Sequence, residues 1–276
     1  MEHWEYLKPG GLRFVWEDAL FRPGTDSFLL SSLPRLSAGL RVCDLGCGTG
    51  LLGLLLLQRQ PDLRVTGIDI QAPAISLAEQ AAAENRLMDR LTFWCADLRH
   101  VRQYFPTGSF DLAVSNPPYY VPGSGKVSQD AARCTARSES EATLADICAA
   151  AAYLLRWGGK FCLVHKPERL TDVLCALREA GIEPKRLRFV HNRAEYAPSL
   201  FLLEGCRGAV LVDGDSELYT KSAARELVFA ANQAGCALFF RKQNPIDREK
   251  SPRQRDRISP ATASAERSFP GGAMRK

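Results

Sequence analysis

Val42-Cys43-Asp44-Leu45-Gly46-Cys47-Gly48-Thr49-Gly50 runs out of an apolar, strand-like stretch into the leucine-rich segment Leu51 to Arg59. Glycines at Gly46, Gly48 and Gly50 let a strand-to-helix turn approach a ligand closely at the positive end of the helix. The pattern predicts a nucleoside-cofactor loop on a doubly wound sheet. Gly48, Gly50 and Gly53 also satisfy the dinucleotide pattern GxGxxG, and Asp69 lies 19 residues after Gly50, the distance of the ribose-binding acid in that pattern. Asp44, in the form D-x-G-x-G-x-G, separates the two readings. A carboxylate there suits a cationic amino group and sits badly beside a pyrophosphate. Together with the tetrad Asn116-Pro117-Pro118-Tyr119 after the fourth strand, it points to S-adenosylmethionine as the cofactor and away from NAD.

Outward from this loop, strand-like and helix-like stretches alternate, the pattern of a parallel sheet covered on both faces. Strands are expected at Arg41 to Leu45, Arg64 to Ile70, Leu91 to Ala96, Phe110 to Ser115, Lys160 to His165, Arg186 to His191 and Leu200 to Gly205. Helices are expected at Leu51 to Arg59, Pro73 to Asn85, Ser140 to Arg156 and Pro167 to Ala180. Pro73 suits a helix start, where its missing N–H would lack a partner anyway. The pair Gly158-Gly159 is read as ending the long helix. The fold class is therefore α/β, Rossmann-like, with a mostly parallel seven-stranded sheet.

Two acids at strand ends are candidate cofactor ligands. Asp69, with Ile70 beside it, closes the second strand, where its carboxylate can accept both hydroxyls of a ribose. Asp97 closes the third, from which it can accept the hydrogens of the cofactor's adenine. The fourth strand, Phe110 to Ser115, runs directly into the tetrad. An exocyclic amine conjugated to a ring or a carbonyl is planar and poorly nucleophilic. Two acceptors aimed at its hydrogens favour the charge that develops as it attacks a methyl group. Asn116 and the Pro117 carbonyl supply them, the prolines stiffen the backbone, and Pro118 with Tyr119 offers a surface for a flipped base, whose stacking contributes about 1–3 kcal/mol. No strong general base is needed, because the proton becomes acidic only after transfer; positioning carries the catalysis.

Composition sets the remaining bounds. A chain of 276 residues has room for one main domain, taken as residues 1–240 with an N-terminal segment 1–38. The net charge of +5 is concentrated in residues 241–276, where ten basic residues face four acidic ones and large apolar residues are few. That basic tail is expected to be disordered and able to hold phosphate backbone in a salt-sensitive manner. The acidic start, without an apolar run behind it, argues against secretion, and the longest apolar stretch, Leu51 to Leu57, is too short to span a membrane. A cytoplasmic monomer is expected. Nine cysteines without a CxxC pair indicate neither a zinc site nor a disulfide framework, so no metal is expected.

From about Phe21 to Thr220 the chain resembles the bacterial tRNA1(Val) adenine-37 N6-methyltransferases, within the class I methyltransferases. The resemblance rests on Gly24-Thr25-Asp26 with Ser27-Phe28-Leu29-Leu30, the glycine loop, Asp69, Asp97 and the tetrad. It continues through Ala136-Arg137, Tyr153-Leu154-Leu155-Arg156-Trp157-Gly158-Gly159, His165-Lys166-Pro167-Glu168-Arg169-Leu170 and Pro184-Lys185-Arg186-Leu187-Arg188-Phe189-Val190-His191. It implies that Thr25 and Asp26 lie near the cofactor's methionine part. It also implies that Tyr120 to Glu139 forms a mobile loop over RNA, with Lys126, Arg133 and Arg137 as phosphate contacts. Ser138 stands where the family often has a histidine. His165 and Lys166 end a strand on the ligand side and are read as structural or RNA-facing.

The expected activity is thus S-adenosylmethionine-dependent N6-methylation of adenine in RNA, with tRNA as the partner. A protein glutamine N5-methyltransferase would present the same tetrad to a planar amide but usually carries a long N-terminal helical domain, and only about 40 residues precede the glycine loop here. A DNA adenine methyltransferase would need a recognition domain to read bases. A catalytically inactive RNA-binding module is the reading from another class, and the intact loop and tetrad argue against it.

Overall fold

The N-terminal segment, for which the sequence pattern predicts no element, folds into a hairpin and a helix in the computed structural model, which describes residues 1–18, 20, 24–119, 142–193, 195–209 and 227–228. Strands β1 (Glu2–Tyr6) and β2 (Arg13–Glu17) pair antiparallel, from Glu2 opposite Glu17 to Tyr6 opposite Arg13. The β2 residues Phe14, Val15 and Trp16 are buried. Helix α1 (Thr25–Ser31) comes next and buries Leu29 and Leu30.

The main sheet contains β3 (Arg41–Leu45), β4 (Arg64–Asp69), β5 (Leu91–Cys95), β6 (Phe110–Ser115), β7 (Leu155–His165), β8 (Ile182–His191) and β9 (Leu200–Arg207). Each of the seven expected strands is present. A two-residue strand, β10 (Leu227–Val228), adds an edge that the expectation did not include. The spatial order is β10-β8-β9-β7-β6-β3-β4-β5. Only β9 runs against the others, pairing antiparallel with β7 and β8. Strands buried on both faces read as continuous apolar runs, and alternate residues serve two cores: Val42, Val114 and Val164 on one face, Cys43, Ala113 and Leu163 on the other.

Helices cover both faces. Helix α2 (Leu51–Arg59) is buried from Leu51 through Leu57, and α3 (Ala72–Glu84) carries Pro73 in its first turn, as expected. Asn85, just past α3, accepts the Arg13 N–H at 2.8 Å and donates to the Arg13 carbonyl at 2.6 Å, which fastens the hairpin to the domain. Helix α4 (Leu144–Leu154) starts at a capping box in which Thr143 and Asp146 satisfy each other's backbone N–H groups. Helix α5 (Leu170–Glu179) is preceded by a 3-10 turn at Pro167–Arg169.

The reading of Gly158-Gly159 as a helix stop needs correction. Helix α4 ends at Leu154, and Leu155 is already extended and pairs with Phe110 of β6. The glycines lie inside β7, where Gly158 takes φ +76° and the register slips before Lys160 meets Leu112. A glycine with positive φ serves a bulged strand as readily as a helix end. Among the described residues no helix is long and apolar enough to cross a membrane. The basic segment 241–276 lies outside the described residues.

Candidate active site

Strand β3 pairs with β4 on one side and β6 on the other, so chain order reverses between β3 and β6. Open α/β sheets hold ligands in the crevice beyond the carboxyl ends at such a reversal. The glycine loop leaves β3 at that point. Gly46, Gly48 and Gly50 have φ of +74°, +52° and +78°, a region that glycine enters without steric cost. Asp69, the last residue of β4, braces the loop: one oxygen accepts the Gly48 N–H at 2.8 Å, the other the Gln71 N–H at 2.9 Å. Burial raises its carboxyl above the usual range, and these hydrogen bonds pull in the opposite direction.

A pocket opens here with Asp44, Gly46, Gly48, Gln71, Ser27 and Asn116 in its wall. The structure thus brings the acid of the glycine loop and the asparagine of the tetrad, 72 residues apart, to one cavity. Asp44 is only 2% exposed, and its Oδ2 is buried without a hydrogen-bond partner. Burial, then the neighbouring charge of Asp69, pushes its pKa up to about 8, against a backbone hydrogen bond from Gly53. A buried carboxyl with an open acceptor in a pocket wall costs free energy unless a ligand completes it. The cationic methionine end of S-adenosylmethionine fits that acceptor, and the three glycines leave the backbone bare beside it.

The tetrad leaves β6 on the other side of the pocket. The Tyr119 hydroxyl donates to Asp26 Oδ2 at 2.5 Å and also lies 2.9 Å from Asn116 Oδ1. The Asn116 amide nitrogen donates to Ser27 Oγ at 3.2 Å. Burial, then the Asp26 contact, raises the Tyr119 pKa and keeps the phenol neutral. A hydroxyl has one proton, and a carboxylate at the shorter distance is the stronger acceptor. With that hydrogen bond directed to Asp26, Asn116 Oδ1 keeps its capacity for an incoming amine. The first turn of α1 therefore supports the tetrad as well as the pocket, a role for Ser27 that sequence reading missed. Gln71, bonded to Asp69 and lining the pocket, was missed too. Neither carries a spacing signal relative to its partners.

Other expected site residues are placed less centrally. Asp97 caps the 3-10 turn Leu98–Gln103, and both of its oxygens are held by Arg99, through Nε at 3.0 and 2.9 Å and Nη2 at 2.5 Å. That bonding holds its carboxyl below the usual range, so Arg99 would have to yield an oxygen before Asp97 could meet an adenine. Thr25 is exposed, Ile70 is 42% exposed, Pro117 is buried and Pro118 exposed. Lys126, Arg133 and Arg137 lie outside the described residues. His165 and Lys166 prove to flank Tyr119, the imidazole centroid at 5.2 Å from the ring and the Lys166 ammonium at 5.4 Å.

Comparison with known proteins places the chain in a family. The chain is 31% identical over 186 residues to the tRNA1(Val) (adenine(37)-N6)-methyltransferase of Aeromonas hydrophila, covering 67% of this chain and 76% of that one. It is 32% identical over 181 residues to the protein of the same name from Tolumonas auensis, covering 65% and 74%. Among solved structures, a predicted O-methyltransferase from Agrobacterium tumefaciens superposes with a TM-score of 0.55 at 18% identity, covering 73% of this chain and 98% of that one, and so shares the fold. Residues 15–175 match the family described as Methyltransferase small domain. The chain, in which Asp44, the glycine loop and Asn116 line one pocket, thus belongs to the methyltransferase small domain family.

Proposed function

We propose that the protein is an S-adenosylmethionine-dependent N6-adenine methyltransferase acting on tRNA, with adenine-37 of tRNA1(Val) as its target. The observation that carries this reading is the shared pocket: Asp44 and the glycine loop on one side, Asn116 on the other. The relatives' names supply the substrate. When bound, S-adenosylmethionine supplies an electrophilic methyl group. Asp44 would hold the cofactor's amino end beside Gly46, Gly48 and Gly50, and Asp69 with Ile70 would take its ribose. Thr25 and Asp26 would hold the methionine part, and Asp97, once released from Arg99, the adenine.

On the substrate side, Asn116 Oδ1 and the Pro117 carbonyl accept the two hydrogens of the exocyclic amine. Both acceptors strengthen as positive charge develops on nitrogen, and they need no reorganisation, because Ser27 already orients the Asn116 amide. Pro118 and Tyr119 receive the unstacked base, while Lys126, Arg133 and Arg137 meet RNA phosphates. The proton leaves to water after transfer. With tRNA as substrate, the enzyme works in the cytoplasm.

An unmodified tRNA1(Val) transcript, and the same transcript carrying guanine at position 37, test this function. Methyl transfer to the first and none to the second is expected. Equal transfer to both would remove position 37 as the target.

A further inference from the structure

One side-chain donor beside the tetrad takes no part in holding the cofactor or the exocyclic amine. His165 is the last residue of β7, and the parallel pairing of Ser115 with Leu163 carries it past the end of β6, level with the tetrad. It is 2% exposed. Its ring lies near-parallel to Phe201, 6.3 Å away between centroids, and tilted against Tyr119 at 5.2 Å. Its Nδ1 accepts the Lys166 backbone N–H at 2.9 Å. With Nδ1 accepting, the single proton of the neutral ring must sit on Nε2. Burial, then the charge of Arg169, holds the pKa down to about 4, so the ring is neutral near pH 7 and its tautomer is set. Among the described residues nothing accepts from Nε2. A donor held in one tautomer beside the tetrad, without a partner in the protein, is available to a ligand.

We propose that His165 is a specificity-determining residue whose Nε2–H donates to the ring nitrogen N1 of the target adenine. The inference rests on adenine as the substrate and deepens that assignment. Adenine shows a donor amine and, next to it, an acceptor at N1; Asn116 and Pro117 match the first and His165 the second. Guanine and hypoxanthine show a carbonyl and an N1–H at the same edge, opposite in sign at both points, so each would leave two buried polar groups mismatched. Sites that hydrogen-bond a substrate group reject analogues lacking it far more strongly than apolar pockets do. His165 holds a fixed donor in this role and moves no proton.

The test is a cycle of one side chain against one base atom. His165→Asn keeps an acceptor for the Lys166 N–H and removes the Nε2 donor, while His165→Gln places an amide N–H near the Nε2 position. Each is assayed on RNA carrying adenine or 1-deazaadenine at the target, with cofactor affinity measured separately to report folding. The expected result is a 10- to 100-fold fall in kcat/KM for His165→Asn on adenine, partial recovery in His165→Gln, and little further loss for His165→Asn on the 1-deaza substrate. Full activity of His165→Asn, or losses that multiply when side chain and ring nitrogen are both changed, would overturn the role of His165 and leave the methyltransferase assignment intact. Failure of the wild-type enzyme to methylate adenine in any RNA would overturn both.

Discussion

Asn116 and Asp44 divide the work of the pocket, and each makes its own prediction. Asn116 is a candidate for both catalysis and cofactor binding; Asn116→Ala removes one of two acceptors aimed at the amine and leaves Asp44 and the glycine loop in place. Methyl transfer should fall by about 10²–10³-fold, the scale for losing one preorganised transition-state hydrogen bond, while cofactor affinity measured by calorimetry stays close to wild type. A variant with near-normal turnover would take Asn116 out of the mechanism. Asp44, with its pKa near 8 in the free protein, is mostly protonated at pH 7, yet a cationic ligand needs the carboxylate. Cofactor binding at pH 7 should therefore release close to one proton, seen as a dependence of the calorimetric heat on buffer ionisation enthalpy, and the release should be lost in Asp44→Asn. Buffer-independent heats would show that Asp44 does not meet the cation. Both residues were legible in sequence because each lies in a short pattern whose chemistry needs that residue type. Ser27 and the Asp26–Tyr119 contact were not, since they join positions 89 and 93 apart in the chain and depend on where α1 docks.

At the scale of elements, the glycine loop is the most constrained segment. Gly48 and Gly50 both have positive φ, but a Cβ on Gly48 would meet open space, whereas on Gly50 it would lie 2.8 Å from the Phe93 ring and 3.2 Å from Ala78. Gly48→Ala should cost about 1 kcal/mol of stability, the penalty of left-handed backbone alone. Gly50→Ala should cost more and displace the start of α2, weakening cofactor binding with it. Comparable denaturant midpoints for the two variants would contradict this ordering. The strands β3 and β6 match their expected bounds because Arg41 and Gly46 bracket the first apolar run, and Gly108-Ser109 and Asn116-Pro117 bracket the second. The hairpin β1–β2 was missed because Glu2, Glu5 and Glu17 break its apolar alternation, and its burial depends on Asn85 and α3. Gly158-Gly159 misled because a glycine pair near a predicted helix end carries the same local signal whether it closes the helix or bulges the next strand.

For the molecule as a whole, a buried acid held for a ligand should show in stability. Asp44 has a folded pKa near 8 against an ordinary 3.8, and Asp69 is shifted in the same direction. The folded state thus holds a proton that the unfolded chain gives up, so this contribution is full below about pH 4 and is lost as pH rises to about 8. The melting temperature of the free protein should fall across that window, and the stabilisation by saturating S-adenosylmethionine should be larger at pH 8 than at pH 6. Asp44→Asn should flatten both trends; if it leaves them unchanged, another group governs them. The fold class was readily legible in the strand–helix alternation, because crossover connections in parallel sheets admit few arrangements, whereas the strand order and the reversed β9 depend on pairings between distant segments. The most direct test of the central claim, that one pocket joins a methyl donor to a planar amine on RNA, is transfer from labelled S-adenosylmethionine into total bacterial tRNA lacking its native modifications, read by nucleoside mass spectrometry. A new N6-methyladenosine peak is predicted. Label appearing instead in a release factor or in DNA, with none in tRNA, would contradict the assignment of the substrate.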